Sequence, residues 1–232
     1  MRAIGRQLAA ALAVACAAAA AETTALPPPD AAAWEPLTFR SVSRHTLYTP
    51  LAEGGGVRAE ADCAASALVL PLEQVDLGRT PVLHWRWRVD RPLAIADERS
   101  RQGDDFAARV YVMFRFDPEH ASLYARARQR IGSRLYGSEL PGSAVNFVWT
   151  SREEPGALWT NPHADESRMI ALARGDASGW RDEAVDVVAA YRRAFRRDPP
   201  GAFALGIMTD SDNACQHAVA RYAGFHFTGG QE

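Results

Sequence analysis

Apolar and polar residues alternate along several segments of the chain, with the period of two that is typical of a half-buried β-strand. Between Leu83 and Val89, leucine, tryptophan and valine alternate with histidine and arginine. The same alternation runs through residues 108–116 and 145–150. Apolar runs of strand length follow at 168–174, 203–210 and 217–227. These segments predict a mainly β protein.

The first strands are predicted to form a hairpin. Thr46 to Leu51 and Val57 to Leu72 have the composition of strands, and Gly54-Gly55-Gly56 separates them. Consecutive glycines adopt the positive φ angles that tight turns require. We therefore expect these two strands to pair with each other.

Two segments in the connections have helical spacing instead. Apolar residues recur at helical intervals over 180–195, with a start at Ser178 or Gly179 and a stop at Pro199-Pro200. A weaker pattern runs over 118–134. Strands outnumber helices, and the regular strand–helix alternation of a parallel sheet is missing. We predict an antiparallel β-sandwich, jelly-roll-like and α+β by content, with two helices in its connections.

Residues 1–21 have the features of a signal peptide: two arginines, an apolar stretch, and Ala19-Ala20-Ala21 as a cleavage site. A second interpretation is a lipoprotein signal that ends before Cys16, because Ala13 to Cys16 resembles a lipoprotein cleavage box. No later segment has the length and hydropathy of a membrane span. We expect a periplasmic or secreted protein, or one held in the envelope by a lipid on Cys16.

Residues 22–37, which contain three consecutive prolines, are predicted to be a linker, and residues 38–228 to be a single domain.

All 26 basic residues are arginine, so mechanisms that need a lysine are excluded, such as Schiff-base chemistry or a Walker A phosphate loop. The net charge of -2 predicts no broad basic surface and hence no nucleic-acid partner.

After the leader, two cysteines remain, Cys63 and Cys215. In an oxidising compartment such a pair is a candidate disulfide. Two buried free thiols are the alternative.

The polar positions of the predicted strands carry arginine, tyrosine and asparagine, which are unusual for a plainly solvated sheet face. If the strands are neighbours, one face carries a row made of Arg86, Arg88, Arg109, Tyr111, Arg115 and Asn146. Acidic residues precede and follow two of these strands, at Asp104-Asp105 and at 210–213. We predict a ligand site formed by Arg86, Asp105, Arg109, Tyr111, Asn146, Trp149, Asp210, Asp212 and Asn213.

Three functions remain open for these residues. The first is a binding module of the cell envelope for a glycan or another molecule rich in hydroxyl and carboxylate groups. The second is a hydrolase or lyase acting on polysaccharide, with Asp105 or Asp212 as acid or base and Arg109 neutralising developing charge. The third is a structural envelope protein without a small ligand, in which Asp–Arg pairs hold the sandwich together.

No metal or cofactor motif stands out. The segment 210–213 has oxygen ligands but lacks the glycine and the terminal glutamate of an EF-hand loop. Zinc motifs are missing, because the six histidines are dispersed. We therefore predict no metal and no cofactor, with a calcium ion held by scattered carboxylates as the alternative.

Four motifs together resemble a known family. They are Trp85-Arg86-Trp87-Arg88, the stretch 103–112, Asn146 to Trp149 followed by Trp159 to Pro162, and Met208 to Asn213. With them, residues 38–227 resemble the secreted bacterial family named domain of unknown function 3047. The resemblance implies an envelope protein with a jelly-roll sandwich similar to carbohydrate-binding domains. It implies no activity, and the two cysteines are not part of its pattern.

Overall fold

The computed structural model describes residues 22–121, 126, 129, 140–175 and 179–230, and most of these lie in β-strands. The strands are β1 (Thr23–Ala25), β2 (Glu35–Leu37), β3 (Leu47–Pro50), β4 (Gly56–Asp62), β5 (Ala65–Pro71), β6 (Val82–Arg91), β7 (Ala108–Phe114), β8 (Ser143–Thr150), β9 (Leu158–Asn161), β10 (Ala164–Arg174), β11 (Arg181–Asp186), β12 (Ala202–Asp210) and β13 (His217–Thr228). The α-helix with described bounds is α1 (Val187–Phe195), a 3-10 turn covers Arg101–Gly103, and residues Arg126 and Gln129 are also helical. None of the described helices is long and apolar enough to cross a membrane.

The strands form two sheets. In the six-stranded sheet the order is β11-β6-β13-β4-β3, with β1 also paired to β13. In the seven-stranded sheet it is β2-β5-β12-β7-β8-β10-β9. Neighbours are antiparallel, except that β8 and β10 run parallel. The prediction of a mainly β protein is confirmed, and one parallel pair departs from the purely antiparallel arrangement.

The main core lies between the two sheets. Because side chains alternate along a strand, every second residue of these strands points into this core. Trp85 and Trp87 point inward from β6, and Val110 and Phe147 point inward from β7 and β8. The Trp85 and Trp87 rings meet edge to face with centroids 5.5 Å apart. Such pairs bury large apolar areas and favour this geometry. The alternating segments of the sequence therefore form the facing layers of the sandwich.

The helix predicted over 180–195 is wrong in its first half. Residues Arg181 to Asp186 extend as β11 along the edge of β6, and only the second half turns into α1. The side chain of Asp186 caps the helix by accepting the backbone N–H of Ala189 at 2.8 Å. The first half of the segment forms a strand because pairing with β6 satisfies the hydrogen bonds of its backbone N–H and C=O groups. The helix predicted over 118–134 lies mostly outside the described residues.

The predicted strand over 57–72 is two strands, which lie in different sheets. Its first part, β4, pairs with β3 as the hairpin prediction expected, whereas β5 pairs with β12 and β2. The chain changes sheet at Cys63, whose φ of 47° lies in the left-handed region. Cys215 has the same conformation, and the two cysteines form a disulfide with Cα atoms 4.1 Å apart. The predicted disulfide is therefore confirmed.

The hydroxyl of Tyr222 connects the two sheets through the core. Tyr222 lies on β13 of the six-stranded sheet, and its hydroxyl donates to the carbonyl oxygen of Met208 on β12 at 2.7 Å. The hydroxyl oxygen of Tyr222 also accepts the backbone N–H of Arg109 on β7 at 3.2 Å, and it lies 2.8 Å from the hydroxyl of Thr209. Burial of the ring raises the pKa of the phenol, so the group stays neutral.

Replacing Tyr222 by phenylalanine should lower the free energy of unfolding by about 1–3 kcal/mol, because buried backbone groups lose their partner. Urea denaturation measures the change. Tyr111→Phe is the matched control, since no hydrogen bond to the Tyr111 hydroxyl is present among the described residues, and we expect a smaller loss there. Equal losses in the two variants would contradict the bridging role of Tyr222.

Candidate functional site

The acidic residues flagged in the sequence meet at one end of the seven-stranded sheet. β7 and β12 are antiparallel neighbours, and Arg109 near the start of β7 pairs with Met208 near the end of β12. The residues just before β7 and just after β12 must therefore lie side by side. This register brings Asp104 and Asp105 next to the segment 210–213.

Arg109 is the centre of this cluster. Its guanidinium is buried and donates from Nη2 to Oδ2 of Asp210 at 2.7 Å and to the carbonyl oxygen of Asp104 at 3.2 Å. The guanidinium also lies 4.8 Å from the centre of the Phe106 ring, where the face of the ring attracts a cation. Arg109 therefore ties the start of β7 to the end of β12.

Asp105 holds the loop that follows β12. Its Oδ1 accepts the backbone N–H of Asn213 at 3.2 Å and the side-chain amide of Asn213 at 2.9 Å. Its Oδ2 accepts the backbone N–H of Ala214 at 2.7 Å. The neighbouring Asp104 accepts the amide of Asn161, on β9, at 2.9 Å. The carboxylate of Asp105 thus stabilises the loop backbone, and that of Asp104 links the segment before β7 to β9.

Burial and like charge dominate the electrostatics of the cluster. Burial raises the pKa of Asp210 well above its usual value, and the nearby carboxylates add to this rise against the opposing effect of Arg109. Burial and the charge of Asp105 also raise the pKa of Asp212. Burial alone would lower the pKa of Arg109, but Asp210 and Asp104 outweigh it and raise the pKa. Arg109 therefore stays charged, and its single positive charge is shared by several carboxylates.

A groove lies on the outer face of the same sheet. Val110 and Val112 face the main core, so the alternation turns Arg109, Tyr111 and Met113 to the other side. Across the register, Tyr111 pairs with Gly206 on β12. A Cβ at Gly206 would lie 2.2 Å from a carbon of the Tyr111 ring, so only glycine lets the ring lie flat on the sheet.

The groove has a volume of about 280 Å³ and is lined by both apolar and polar residues. The apolar lining consists of Leu37, Phe39, Tyr111, Met113, Pro141, Ala144, Ala164 and Met208. The polar lining consists of Arg109, Ser143, Asn146, Glu166 and Ser167, with Gly142 beside them. This combination of an apolar surface and a few converging polar groups is typical of small-molecule sites.

The amide of Asn146 is fixed in one orientation. Its Nδ2 donates to the hydroxyl oxygen of Ser167 at 2.7 Å and to the carbonyl oxygen of Arg168 at 3.1 Å. Both of its N–H groups are therefore engaged with β10. Its Oδ1 receives no hydrogen bond from the described residues and is free to accept one from a ligand.

Not all predicted site residues come together. The predicted single row of arginines is wrong, because β6 and β7 belong to different sheets. Arg86 lies on the outside of the six-stranded sheet, where it packs over the ring of Trp180 at 4.6 Å and lies 3.8 Å from Asp182. Arg88 is on the same side and pairs with Asp90 at 2.5 Å.

Trp149 also lies away from the groove. Its ring is buried in the main core against Trp87, with centroids 5.6 Å apart, and its indole N–H donates to the carbonyl oxygen of Gly175 at 2.7 Å. Residue 149 falls on the inward phase of β8, as the alternation already indicated. We therefore assign Trp149 to the core and not to the ligand site.

Several groove residues had no signal in the sequence. Met208 lies within the apolar run 203–210, where nothing marks it as facing outward. Glu166 and Ser167 precede the segment that was predicted as a strand, although β10 begins earlier. Gly206 is a lone glycine inside a strand pattern, a signal for close approach of another group that could have been used.

The family model described as "Protein of unknown function (DUF3047)" matches residues 32–226. The chain belongs to the DUF3047 family. The resemblance found in the four sequence motifs is thereby confirmed. No curated protein matches this DUF3047 chain.

Among solved structures, the DUF3047 chain is similar to carbohydrate-binding modules of Clostridium thermocellum. A family 11 module in complex with a β-1,3-1,4-mixed-linked tetrasaccharide has TM-score 0.45 and 9% identity, over 93% of this chain and 99% of the module. The family 11 module of the cellulase Lic26A-Cel5E has TM-score 0.46 and 9% identity, over 92% and 98%. A family 30 module has TM-score 0.39 and 9% identity, over 86% and 88%.

Proposed function

We propose that this protein binds a glycan, or another ligand rich in hydroxyl and carboxylate groups, in the groove on the outer face of its seven-stranded sheet. The observation that carries the proposal is the groove itself, whose lining includes Tyr111 and Asn146, the latter with no hydrogen bond from the described residues to its Oδ1. The groove volume, about 280 Å³, is near the lower end of small-molecule sites, which is about 300 Å³.

The lining suits the two kinds of surface on a sugar ring. A pyranose presents C–H groups on its faces and hydroxyls around its edge. The Tyr111 ring and the side chains of Met113 and Met208 offer an apolar surface for a face of the ring. Asn146 Oδ1 and the Glu166 carboxylate accept hydrogen bonds from hydroxyls at the edge.

The groove does not favour the hydrolase or lyase hypothesis. Glycoside hydrolysis commonly uses two carboxyl groups about 5–9 Å apart on either side of the scissile bond. Among the described residues that line the groove, Glu166 is the one with a carboxylate. Asp105, which the sequence offered as an acid or base, uses both carboxylate oxygens to hold the loop at 213–214.

The same proposal includes the cellular context and the finer fold. We propose that residues 1–21 direct export, that the protein acts in the periplasm or the envelope, with lipid on Cys16 as the alternative, and that its two sheets form a jelly roll. The disulfide between Cys63 and Cys215 supports export, because such bonds persist in oxidising compartments.

Replacing Glu166 by alanine should weaken ligand binding by about 10-fold or more, the equivalent of one hydrogen bond to a charged group. The protein is first screened on an array of neutral and uronic-acid oligosaccharides, and the affinity for the best hit is then measured by calorimetry. Glu73→Ala is the control, because Glu73 is exposed in the connection between β5 and β6. If Glu166→Ala and Glu73→Ala bind the sugar equally well, the groove is not the binding site.

A further inference from the structure

Three carboxylates meet at the end of the seven-stranded sheet, outside the groove. Asp105, Asp210 and Asp212 each place an oxygen within 4.8 Å of the oxygens of the other two. Asp105 and Asp210 are buried and Asp212 is half-buried. Asp105 precedes β7, and the other two residues lie at the end of β12 and just after it. Because β7 and β12 are antiparallel neighbours, the fold of the sheet brings the three residues together.

A buried oxygen in this cluster has no partner. Asp210 is 1% exposed, and while its Oδ2 accepts from Arg109, no hydrogen-bond donor among the described residues reaches its Oδ1. The Oδ1 of Asp104 is also buried without a hydrogen bond, but it lies 3.6 Å from Nη2 of Arg109. Leaving a buried acceptor unsatisfied is costly, and native proteins rarely do so. A bound cation would provide the missing partner.

The charges around Arg109 point to a divalent ion. Four carboxylates lie close together here, those of Asp104, Asp105, Asp210 and Asp212, and among the described residues Arg109 is the cation that pairs with them. When ionised they leave the cluster with an excess of three negative charges. A divalent ion offsets most of this excess, and carboxylate oxygens are its preferred ligands.

The spacing of the oxygens indicates the size of the ion. Two ligand oxygens on one ion lie at most twice the metal–oxygen distance apart, about 5 Å for Ca²⁺ and about 4 Å for Mg²⁺. The three oxygens lie within 4.8 Å of one another, a limit that is closer to the span of Ca²⁺ than to that of Mg²⁺. Half-buried Asp212 leaves one side of the cluster open, through which an ion enters and water completes its coordination.

We propose that Asp105, Asp210 and Asp212 bind a calcium ion that joins the start of β7 to the loop after β12. The oxygens of Asp105 that hold this loop retain lone pairs, since each carboxylate oxygen accepts more than one contact. The ion supports the end of the sheet where Arg109 enters the groove. The proposal stands without the glycan proposal, because its ligands lie outside the groove lining.

Calorimetric titration of the purified, chelator-treated protein with CaCl2 tests the site. We expect one site with a dissociation constant of about 10⁻⁵ to 10⁻³ M. Adding CaCl2 at about 100 times this constant should raise the melting temperature by about 5 °C or more. MgCl2 at the same concentration should bind at least about 10-fold more weakly. The calcium assignment is overturned if the chelator-treated protein neither binds nor responds to CaCl2, or if MgCl2 acts equally well.

Two isosteric variants locate the ion. Asp212→Asn should weaken calcium binding by about 10-fold or more and abolish the thermal shift, and its fold should persist because the side chain is half-buried at the rim. Asp182→Asn removes an equal charge from the exposed face of the other sheet, where the side chain is 82% exposed, and should bind calcium as the parent does. Unchanged calcium affinity in Asp212→Asn would place the ion elsewhere and overturn the proposal.

Discussion

Replacing Arg109 by alanine is expected to destabilise the protein by about 3–5 kcal/mol, one of the two largest effects that we predict. The side chains of Arg109 and Asp210 are 8% and 2% exposed, and their contact is 2.7 Å. Removing one partner of a buried ion pair leaves the other charge without compensation, which is far more costly than the pair is stabilising. Urea denaturation at neutral pH measures the loss.

The control for this variant is Arg174→Ala. Arg174 also pairs with a carboxylate, that of Glu154, but both side chains are largely exposed. Solvent screening makes such a pair worth less than about 1 kcal/mol. Similar losses in Arg109→Ala and Arg174→Ala would show that the buried cluster is not a major source of stability.

The loss in Arg109→Ala should also depend on pH. Without the guanidinium, burial holds the pKa of Asp210 above its usual value with nothing opposing it. Between the usual and the raised pKa the folded variant then binds more protons than the unfolded chain, so stability falls as the pH rises. The destabilisation should therefore be smaller at about pH 5 than at about pH 8. A deficit that grows on acidification would contradict this assignment.

Removing the disulfide is the second large effect. The bond closes a loop between residues 152 positions apart, and the double variant Cys63→Ala, Cys215→Ala should lose about 2–5 kcal/mol of stability. Both positions have φ angles near +47°, which are unfavourable for alanine as well, so the variant keeps the backbone strain while losing the link.

Thermal denaturation measures the disulfide effect, and the parent protein under strong reducing conditions is the control. Reduced parent and double variant should melt at the same temperature, well below the oxidised parent. A double variant as stable as the oxidised parent would mean that the two cysteines contribute nothing through their bond.

The strands could be predicted because their cause is local. Alternation from Leu83 to Val89 and from Ala108 to Phe114 already places Trp87 and Val110 on a buried face. The family resemblance could also be predicted, because it depends on local motifs. Arg109 and Asp210 could be assigned to one site, because their motifs lie at the start of one predicted strand and at the end of another. The disulfide was left open, because spacing alone does not tell whether two cysteines meet.

Strand partners could not be predicted, because pairing between distant segments leaves no local pattern. Arg86 and Arg109 have the same alternating context, yet β6 and β7 lie in opposite sheets. The segment 181–186 has helical spacing, but the free edge of β6 pairs with it. The groove depends on Tyr111 lying over Gly206, a contact between residues that are far apart in the sequence.

The cluster and the groove meet at Arg109. Its guanidinium pairs with Asp210 on one side, and the residue lines the groove on the other. Ordering of the loop at 210–214 is therefore expected to hold one end of the groove in place.

Calorimetric titration of the Gly206→Ala variant, with the oligosaccharide that binds the parent best, tests the groove most directly. The added methyl group would lie 2.2 Å from the Tyr111 ring, so the ring must leave its position in the groove lining. Gly179→Ala is the matched control, because its Cβ meets nothing within 4 Å. We predict that the parent and Gly179→Ala bind alike and that folded Gly206→Ala binds at least about 10-fold more weakly. A parent that binds no oligosaccharide, or a folded Gly206→Ala that binds as tightly as the parent, would contradict the proposed site.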